Sequence, residues 1–301
     1  MTETIDILVT GGTGQIGLEL QAIDWPAEVR LHVPDRVALN LSNPDSIRRF
    51  FATQSWAAVI NAGAWTEVDK AECDSAAAFA VNALAPAVLA ELARNADVPM
   101  IQVSTDYVFG GVAGGARAET DPVNPINVYG ASKLAGELAV RTIQRRSVVL
   151  RISWLISRHR VNFLKTMLRL AAERPTLRVV DDQRGSPTSA CDVAKALKVI
   201  ILRLINDPDA PCGVYHFAND GDTTWAGLAQ HIFTLSGECG GPVAEVESIR
   251  TKDYPAAAAR PFNSVLSTTR ISCDYGVFGR AWRDAVAEIV VGMNVHEGKV
   301  S

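Results

Sequence analysis

The sequence predicts a doubly wound α/β fold, built on a parallel sheet, with a smaller interleaved unit toward the C-terminus. Three observations predict it. Short apolar runs alternate with longer helix-like stretches through the first half. A glycine-rich turn separates the first run from the first helix pattern. The 301 residues, 48% of them hydrophobic and 21% charged, are enough for a large buried core and argue against disorder.

The elements follow in order. IDILVT (5–10), VRLHV (29–33), AAVINAG (57–63), PMIQVST (99–105) and SVVLRISW (147–154) are each continuous apolar runs of strand length, as expected of strands buried on both faces. QIGLELQAI, PDSIRRFFAT, AAAFAVNALAPAVLAELARNA and YGASKLAGELAVRTIQ lie between them as helices. Strand, helix, strand in this repeated order signals right-handed crossovers and a parallel sheet covered on both faces. After Trp154 the rhythm loosens into the basic loop SRHR, a helix NFLKTMLRLAAE, a short strand near LRVVDD and the turn-rich QRGSPTS. GVYHFA (213–218) is placed to return to the main sheet. The tail from Gly221 mixes a helix, the turn GECGGP and the loop YPAAAARPFNS. The expected division is a larger unit over 1–154 with about 188–220, and a smaller one over 155–187 and 221–301.

A formal net charge of −4 without a basic run gives no electrostatic footprint for nucleic acid or an anionic membrane, so a small partner is expected. Cys73, Cys191, Cys212, Cys239 and Cys273 are dispersed and form no C-x-x-C pair, which reads as free thiols in a reducing compartment. MTETIDILVTGG enters a strand almost at once, with no basic region or long apolar stretch before it; a cytoplasmic protein is expected. The five histidines, His32, His159, His216, His231 and His296, show no metal-ligand spacing, and no metal is expected.

VTGGTGQIG follows the first strand with Gly11, Gly14 and Gly17 spaced G-x-x-G-x-x-G. Such glycines permit a tight turn and close approach of backbone N–H groups to a pyrophosphate, and the helix N-terminus favours its charge. The spacing departs from G-x-G-x-x-G, and no G-x-x-x-x-G-K-[ST] is present. After the second strand Asp35 and Arg36 are adjacent. A carboxylate suits the free 2′-hydroxyl of NAD, a guanidinium the 2′-phosphate of NADP. The signals conflict; the reading leans to NADPH with NADH as the alternative, and solvated surface charges remain a third.

NVYGASKLAGE places Tyr129 and Lys133 one turn apart on a helix, and VSTDYVF brings Ser104 and Thr105 to the carboxyl edge of the sheet, where ligands of open α/β sheets bind. A phenol is a poor acid–base catalyst at neutral pH, and a nearby ammonium lowers its pKa. The expected roles follow. Lys133 tunes Tyr129, and the Thr105 hydroxyl holds a carbonyl oxygen being reduced.

With these residues in place the sequence resembles the extended short-chain dehydrogenase/reductases, and within them the dTDP-4-dehydrorhamnose reductases. The resemblance rests on blocks in register along nearly the whole chain: TGGTGQIG, VINAGAWTEVDKAE, AVNALAPAVLA, VSTDYVFGG, ETDPVNPINVYGASKLAGE, RISWL, NFLKTMLRLA, VVDDQRGSPTSA, GVYHFAN and RPFNSVLST. It implies a Rossmann-like fold and reduction of the 4-keto group of dTDP-6-deoxy-L-lyxo-4-hexulose to dTDP-L-rhamnose by NADPH or NADH. Thr105, Tyr129 and Lys133 would be catalytic, Tyr129 protonating the oxygen at C4 and Lys133 also holding the nicotinamide ribose. The implied cofactor contacts are Gly11, Gly14, Gln15, Ile16, Gly17, Asp35, Arg36, Asn40, Leu41, Ala62, Gly63, Ala64, Tyr129 and Lys133. Substrate contacts would come from Thr66, Val68, Thr105, Tyr107 and Trp154, with Asn162 and the RPFNS segment toward the nucleotide and Arg260 on its diphosphate. Asn82, polar within an apolar helix, would support the site.

Four residues depart from the family's habit. Gly63 stands where alanine is common, Trp65 where tyrosine or histidine is, Asn40 where aspartate is, and Cys191 where some members carry a carboxylate that binds a metal between two copies. A homodimer is left open, without that metal. The competing readings are a reductase of another nucleotide-linked 4-keto-6-deoxysugar and a non-catalytic regulatory subunit on the same fold, like the relative that associates with methionine adenosyltransferase.

Overall fold

The computed structural model describes residues 4–111 and 114–297. The first residues of the N-terminal run and the last of the expected smaller unit lie outside them. Five strands follow the predicted order: β1 (Ile5–Thr10), β2 (Val29–His32), β3 (Ala58–Asn61), β4 (Met100–Thr105) and β5 (Ser147–Ile152). Gly213–Phe217 returns to pair with β5, and the six strands are ordered Gly213–Phe217, β5, β4, β3, β1, β2, all neighbours parallel.

Side chains alternate across the sheet, so both faces need cover. Ile7, Val9, Ile60, Val103 and Leu150 pack on one face with Leu20 of helix α1 (Gln15–Ala22) and with Val193, Leu197 and Ile200 of the Ala190–Asn206 helix. Leu8, Val59 and Met100 pack on the other with Ile47 and Phe51 of the Pro44–Phe51 helix, and with Val88, Leu89 and Val140. A separate core gathers Trp154, Leu164, Leu177, Ile232, Trp282 and Val286. Ile271 and Val277, expected in the smaller unit, instead join the large core.

Two strands end two residues before their apolar runs do, and both endings serve the site. β3 stops at Asn61, freeing Ala62, Gly63 and Ala64 to line a cavity. β5 stops at Ile152, and Trp154 turns out of line with φ +42°. Among the described residues the tail holds three α-helices, Trp225–Glu238, Thr269–Tyr275 and Trp282–Glu297, where the sequence suggested one.

The Ser75–Asn95 helix is long and apolar enough to cross a membrane by composition, yet Ala85, Val88, Leu89, Ala90 and Ala93 are buried in the core beneath the sheet. It is interrupted by a π-helical turn over Ala80–Leu84, of the kind that marks functional sites. Asn82 in that turn accepts from Trp65 N at 2.8 Å and donates to Trp65 O and Ser132 Oγ, each at 3.0 Å. The loop after β3 is thereby tied to the helix that carries Tyr129.

Candidate active site

β1 and β3 are parallel neighbours at the point where strand order reverses, and a cavity of about 1000 Å³ opens beyond their carboxyl ends. The glycine turn forms one wall. Gly11 has φ +71°, and a Cβ there would lie 2.5 Å from the Gly63 backbone, so the two loops meet because residue 11 lacks a side chain. Alanine at Gly63, the family's common choice, would meet Leu41 Cδ1 at 2.4 Å. Gly14 N donates to Gly11 O at 2.9 Å and starts α1 with no side chain capping its first amides. Those amides are left for an anion. Gly11, Gly14, Gln15 and Ile16 line the cavity, whereas Gly17 does not: it faces the Gly11 and Gly12 backbone and seats the helix on the turn.

At the far end Arg36, Asn40 and Leu41 line the wall, and Asp35 does not. The Asp35 carboxylate instead accepts from Val37 N at 3.0 Å and Ala38 N at 2.8 Å, closing its own turn. Of the two adjacent charges, Arg36 faces the cavity and Asp35 does not. A glycine cradle with free helix amides and an unopposed guanidinium at the second strand fits a phosphorylated dinucleotide.

The reacting end is built from β4 and the Val128–Ile143 helix. Asn127 caps that helix, accepting from Gly130 N at 2.7 Å and donating to Ala259 O at 2.8 Å. The helix start closes on the turn after β4 because residue 130 is glycine; a Cβ there would lie 2.2 Å from Tyr107 O. Thr105, Tyr107, Tyr129 and Lys133 consequently share one wall, with Thr66 and Val68 also lining the cavity. The Tyr107 and Tyr129 rings meet edge to face at 5.6 Å.

The expected tuning of Tyr129 by Lys133 is not realised. Lys133 Nζ donates to Val103 O at 2.7 Å. Burial brings its amine down to about 8, opposed by the Glu137 carboxylate. Burial pushes the Tyr129 phenol up, the Thr105 hydroxyl pulls it back, and the Asp106 carboxyl adds to the rise. Tyr129 is therefore a neutral phenol, the form able to donate a proton.

Two substrate assignments change character. Asn162 does not line the cavity; its Nδ2 donates to Ser157 O at 2.7 Å, Gln15 Oε1 at 3.1 Å and His159 O at 3.2 Å, and its Oδ1 accepts from Lys165 N. Arg260 also stands off the lining, gripped by Asp69 through two bonds of 3.1 and 2.5 Å. Trp154 does line the cavity, stacked on Trp225 with centroids 3.5 Å apart and Phe163 against the same ring.

The family model described as RmlD substrate binding domain matches residues 5–295. The chain belongs to this family. A dTDP-4-dehydrorhamnose reductase of Sinorhizobium fredii is 36% identical over 97% of this chain and 99% of its own length. The crystal structure of one from Clostridium acetobutylicum superposes with a TM-score of 0.89 at 33% identity, covering 96% of this chain and 99% of that one. Another, from Bacillus anthracis in complex with NADP, superposes with a TM-score of 0.88 at 31% identity over 96% of this chain and 99% of that one.

Within this RmlD-type site, the lining residues that escaped the sequence reading include Asp106, Arg160 and Trp225. Asp106 sits inside the quoted VSTDYVF block, but only burial marks it. Thr105 Oγ1 donates to its Oδ1 at 2.9 Å, while Oδ2 is buried without a partner among the described residues, as are the Ser104 and Ser264 hydroxyls. Burial brings its carboxyl up to about 6, against the pull of the Thr105 hydroxyl. A carboxyl raised in the fold is a stabilising proton acceptor below about pH 4 and loses that contribution as pH climbs through about 6. Asp106→Asn, which keeps the acceptor for Thr105, should match the parent near pH 4 and exceed it by about 3 kcal/mol near pH 8. Urea unfolding at both pH values measures this; an equal difference at both would rule out the buried-charge account.

Proposed function

We propose that this chain reduces the 4-keto group of dTDP-4-dehydro-β-L-rhamnose, that is dTDP-6-deoxy-L-lyxo-4-hexulose, to dTDP-L-rhamnose, using NADPH in preference to NADH. The observation that carries the reading is the convergence of Thr105, Tyr129 and Lys133 on the cavity whose other wall is the glycine turn. Relatives named for this reaction, alike over nearly the full chain, support it.

When bound, the dihydronicotinamide supplies the hydride. The chain's own residues do the rest. Thr105 turns its hydroxyl proton from Asp106 Oδ1 to the ketone oxygen and fixes its position, and Tyr129, held neutral by burial, gives that oxygen its proton as the C4 alcohol forms. Lys133, one helical turn beyond and anchored on Val103 O, is the residue for the nicotinamide ribose. The stacked Trp154 and Trp225 rings offer an apolar floor to the deoxy face of the sugar. Arg36 is taken to read the 2′-phosphate, with Asp35 turned into its own loop.

Two units are part of the proposal, 1–154 with about 188–220 for the cofactor and 155–187 with 221–301 for the sugar nucleotide; the separate core around Trp154, Leu164 and Ile232 supports it. A cytoplasmic location belongs to the same reading, in keeping with five cysteines that are all free.

The test follows oxidation of NADPH and of NADH at 340 nm with enzymatically generated dTDP-4-dehydro-L-rhamnose, and with dTDP-4-keto-6-deoxy-D-glucose as the comparison. Turnover confined to the first sugar is expected, faster with NADPH. Turnover with the second sugar alone would transfer the chain to another 4-keto-6-deoxysugar, and nucleotide binding without turnover on either would remove the enzymatic reading.

A further inference from the structure

Segment 157–162, between the Leu155–Ile156 strand and the Phe163–Glu173 helix, folds back over the glycine turn. It is held to that turn from several points. Arg160 Nε donates to Thr13 O at 2.6 Å, and Asn162 Nδ2 reaches Gln15 Oε1. Glu19 of α1, nearly buried, faces His159 at 3.4 Å and Arg158 at 3.7 Å. The segment is also stapled internally, by Asn162 on the Ser157 and His159 carbonyls and by Ser157 Oγ accepting from His159 N at 2.8 Å.

Arg160 serves this scaffold through its Nε alone. Its backbone has φ +56°, a conformation that disfavours any residue with a Cβ and that glycine would adopt freely. The nearby carboxylate, Glu19, is already matched by Arg158, and Arg160 has no carboxylate partner among the described residues. Its Nε is anchored on Thr13, while Nη1 and Nη2 have no hydrogen-bond or ion-pair partner among the described residues, and the side chain lines the cavity beside Gly11, Gly14 and Gln15. A guanidinium kept in a disfavoured backbone position, over a turn whose amides already favour an anion, is placed for a phosphate.

We propose that Arg160 is a cofactor-binding residue whose free Nη edge takes a pyrophosphate oxygen of the dinucleotide, with 157–162 the strap that brings it over the glycine turn. This rests on the reading of the cavity as a dinucleotide site and extends it across the chain, since no residue beyond Lys133 was expected to touch the cofactor. It also separates two guanidiniums by role: Arg36 reads the 2′-phosphate that distinguishes NADP from NAD, and Arg160 reads the pyrophosphate common to both.

Isothermal titration of the full chain tests it with five probes: NADP⁺, NAD⁺, ADP-ribose (pyrophosphate without 2′-phosphate), adenosine 2′,5′-bisphosphate (the converse) and dTDP. Arg160→Gly is the chosen variant because glycine suits the positive φ, and thermal unfolding checks its fold. It should weaken NADP⁺, NAD⁺ and ADP-ribose by about ten- to thirtyfold, the loss of one charge-assisted contact, with the bisphosphate and dTDP within about twofold. Arg160→Lys, which keeps the charge but not the fork, should recover part of the loss. Arg36→Ala should weaken NADP⁺ and the bisphosphate while sparing NAD⁺ and ADP-ribose. Unchanged dinucleotide affinity in Arg160→Gly would overturn the proposal, as would a loss confined to the bisphosphate and NADP⁺, or to dTDP. If the parent itself bound neither dinucleotide, the cofactor reading would fail first and this one with it.

Discussion

Tyr129→Phe should lower kcat by about 10²- to 10⁴-fold while NADP⁺ affinity stays within about twofold. The substitution removes one oxygen and keeps the ring, so the edge-to-face contact with Tyr107 survives. What is lost is the proton donor, and the loss belongs to the transition state, so kcat and kcat/KM should fall together while binding holds. Thr105 loses a neighbour as well, but keeps Asp106 Oδ1 and Tyr107 N as partners. Stopped-flow measurement of NADPH oxidation beside a binding titration separates the two effects. A raised KM with kcat preserved would mean that the phenol only positions the sugar.

The second large effect is on stability, behind the site. Glu137 and Arg151 form a bidentate ion pair of 2.9 and 2.7 Å, with Glu137 fully buried and Arg151 2% exposed. Arg151 Nη1 also approaches His216 Nε2 at 3.4 Å, and Arg117 O lies 3.1 Å from His216 Nδ1. That arrangement assigns the ring proton to Nδ1 and a lone pair to Nε2. Burial, aided by the Arg151 charge, keeps His216 neutral by bringing it down to about 3. Removing either partner strands a charge in the interior. Glu137→Ala and Arg151→Ala should each cost about 3–5 kcal/mol in urea unfolding, and joint replacement by Leu and Met should return most of it. A double variant as weak as the singles would show that the pair's geometry, not its desolvated charge, is what the fold uses. Glu137→Gln should further lower the Lys133 amine, because the Glu137 charge is what holds it up, and should move the basic limb of the kcat/KM profile to lower pH.

Much of the fold was legible because its signals are local. IDILVT and PMIQVST are strands wherever both sheet faces are covered, and β1 and β4 end at Thr10 and Thr105, where those runs end. The runs that overshot, AAVINAG and SVVLRISW, did so where apolar side chains leave the sheet to line the cavity; hydrophobicity records burial, and a pocket wall is buried too. Tyr129 and Lys133 could be read as neighbours from helix geometry alone. Their electrostatic relation could not, because Lys133 chooses the Val103 carbonyl of β4 over the phenol.

The sequence by itself determined the parallel sheet, the glycine turn and the helix that carries the Tyr129–Lys133 pair, because each depends on spacing within one element. The tertiary structure alone decided that Asp35 closes a turn while Arg36 lines the cavity, that Arg260 is held by Asp69, that Trp225 lies on Trp154, and that Arg160 reaches Thr13. These contacts depend on side-chain direction or join positions far apart in the chain. Their partners are chosen by which surfaces the packed sheet and helices bring together, and periodicity along the chain carries no record of that choice.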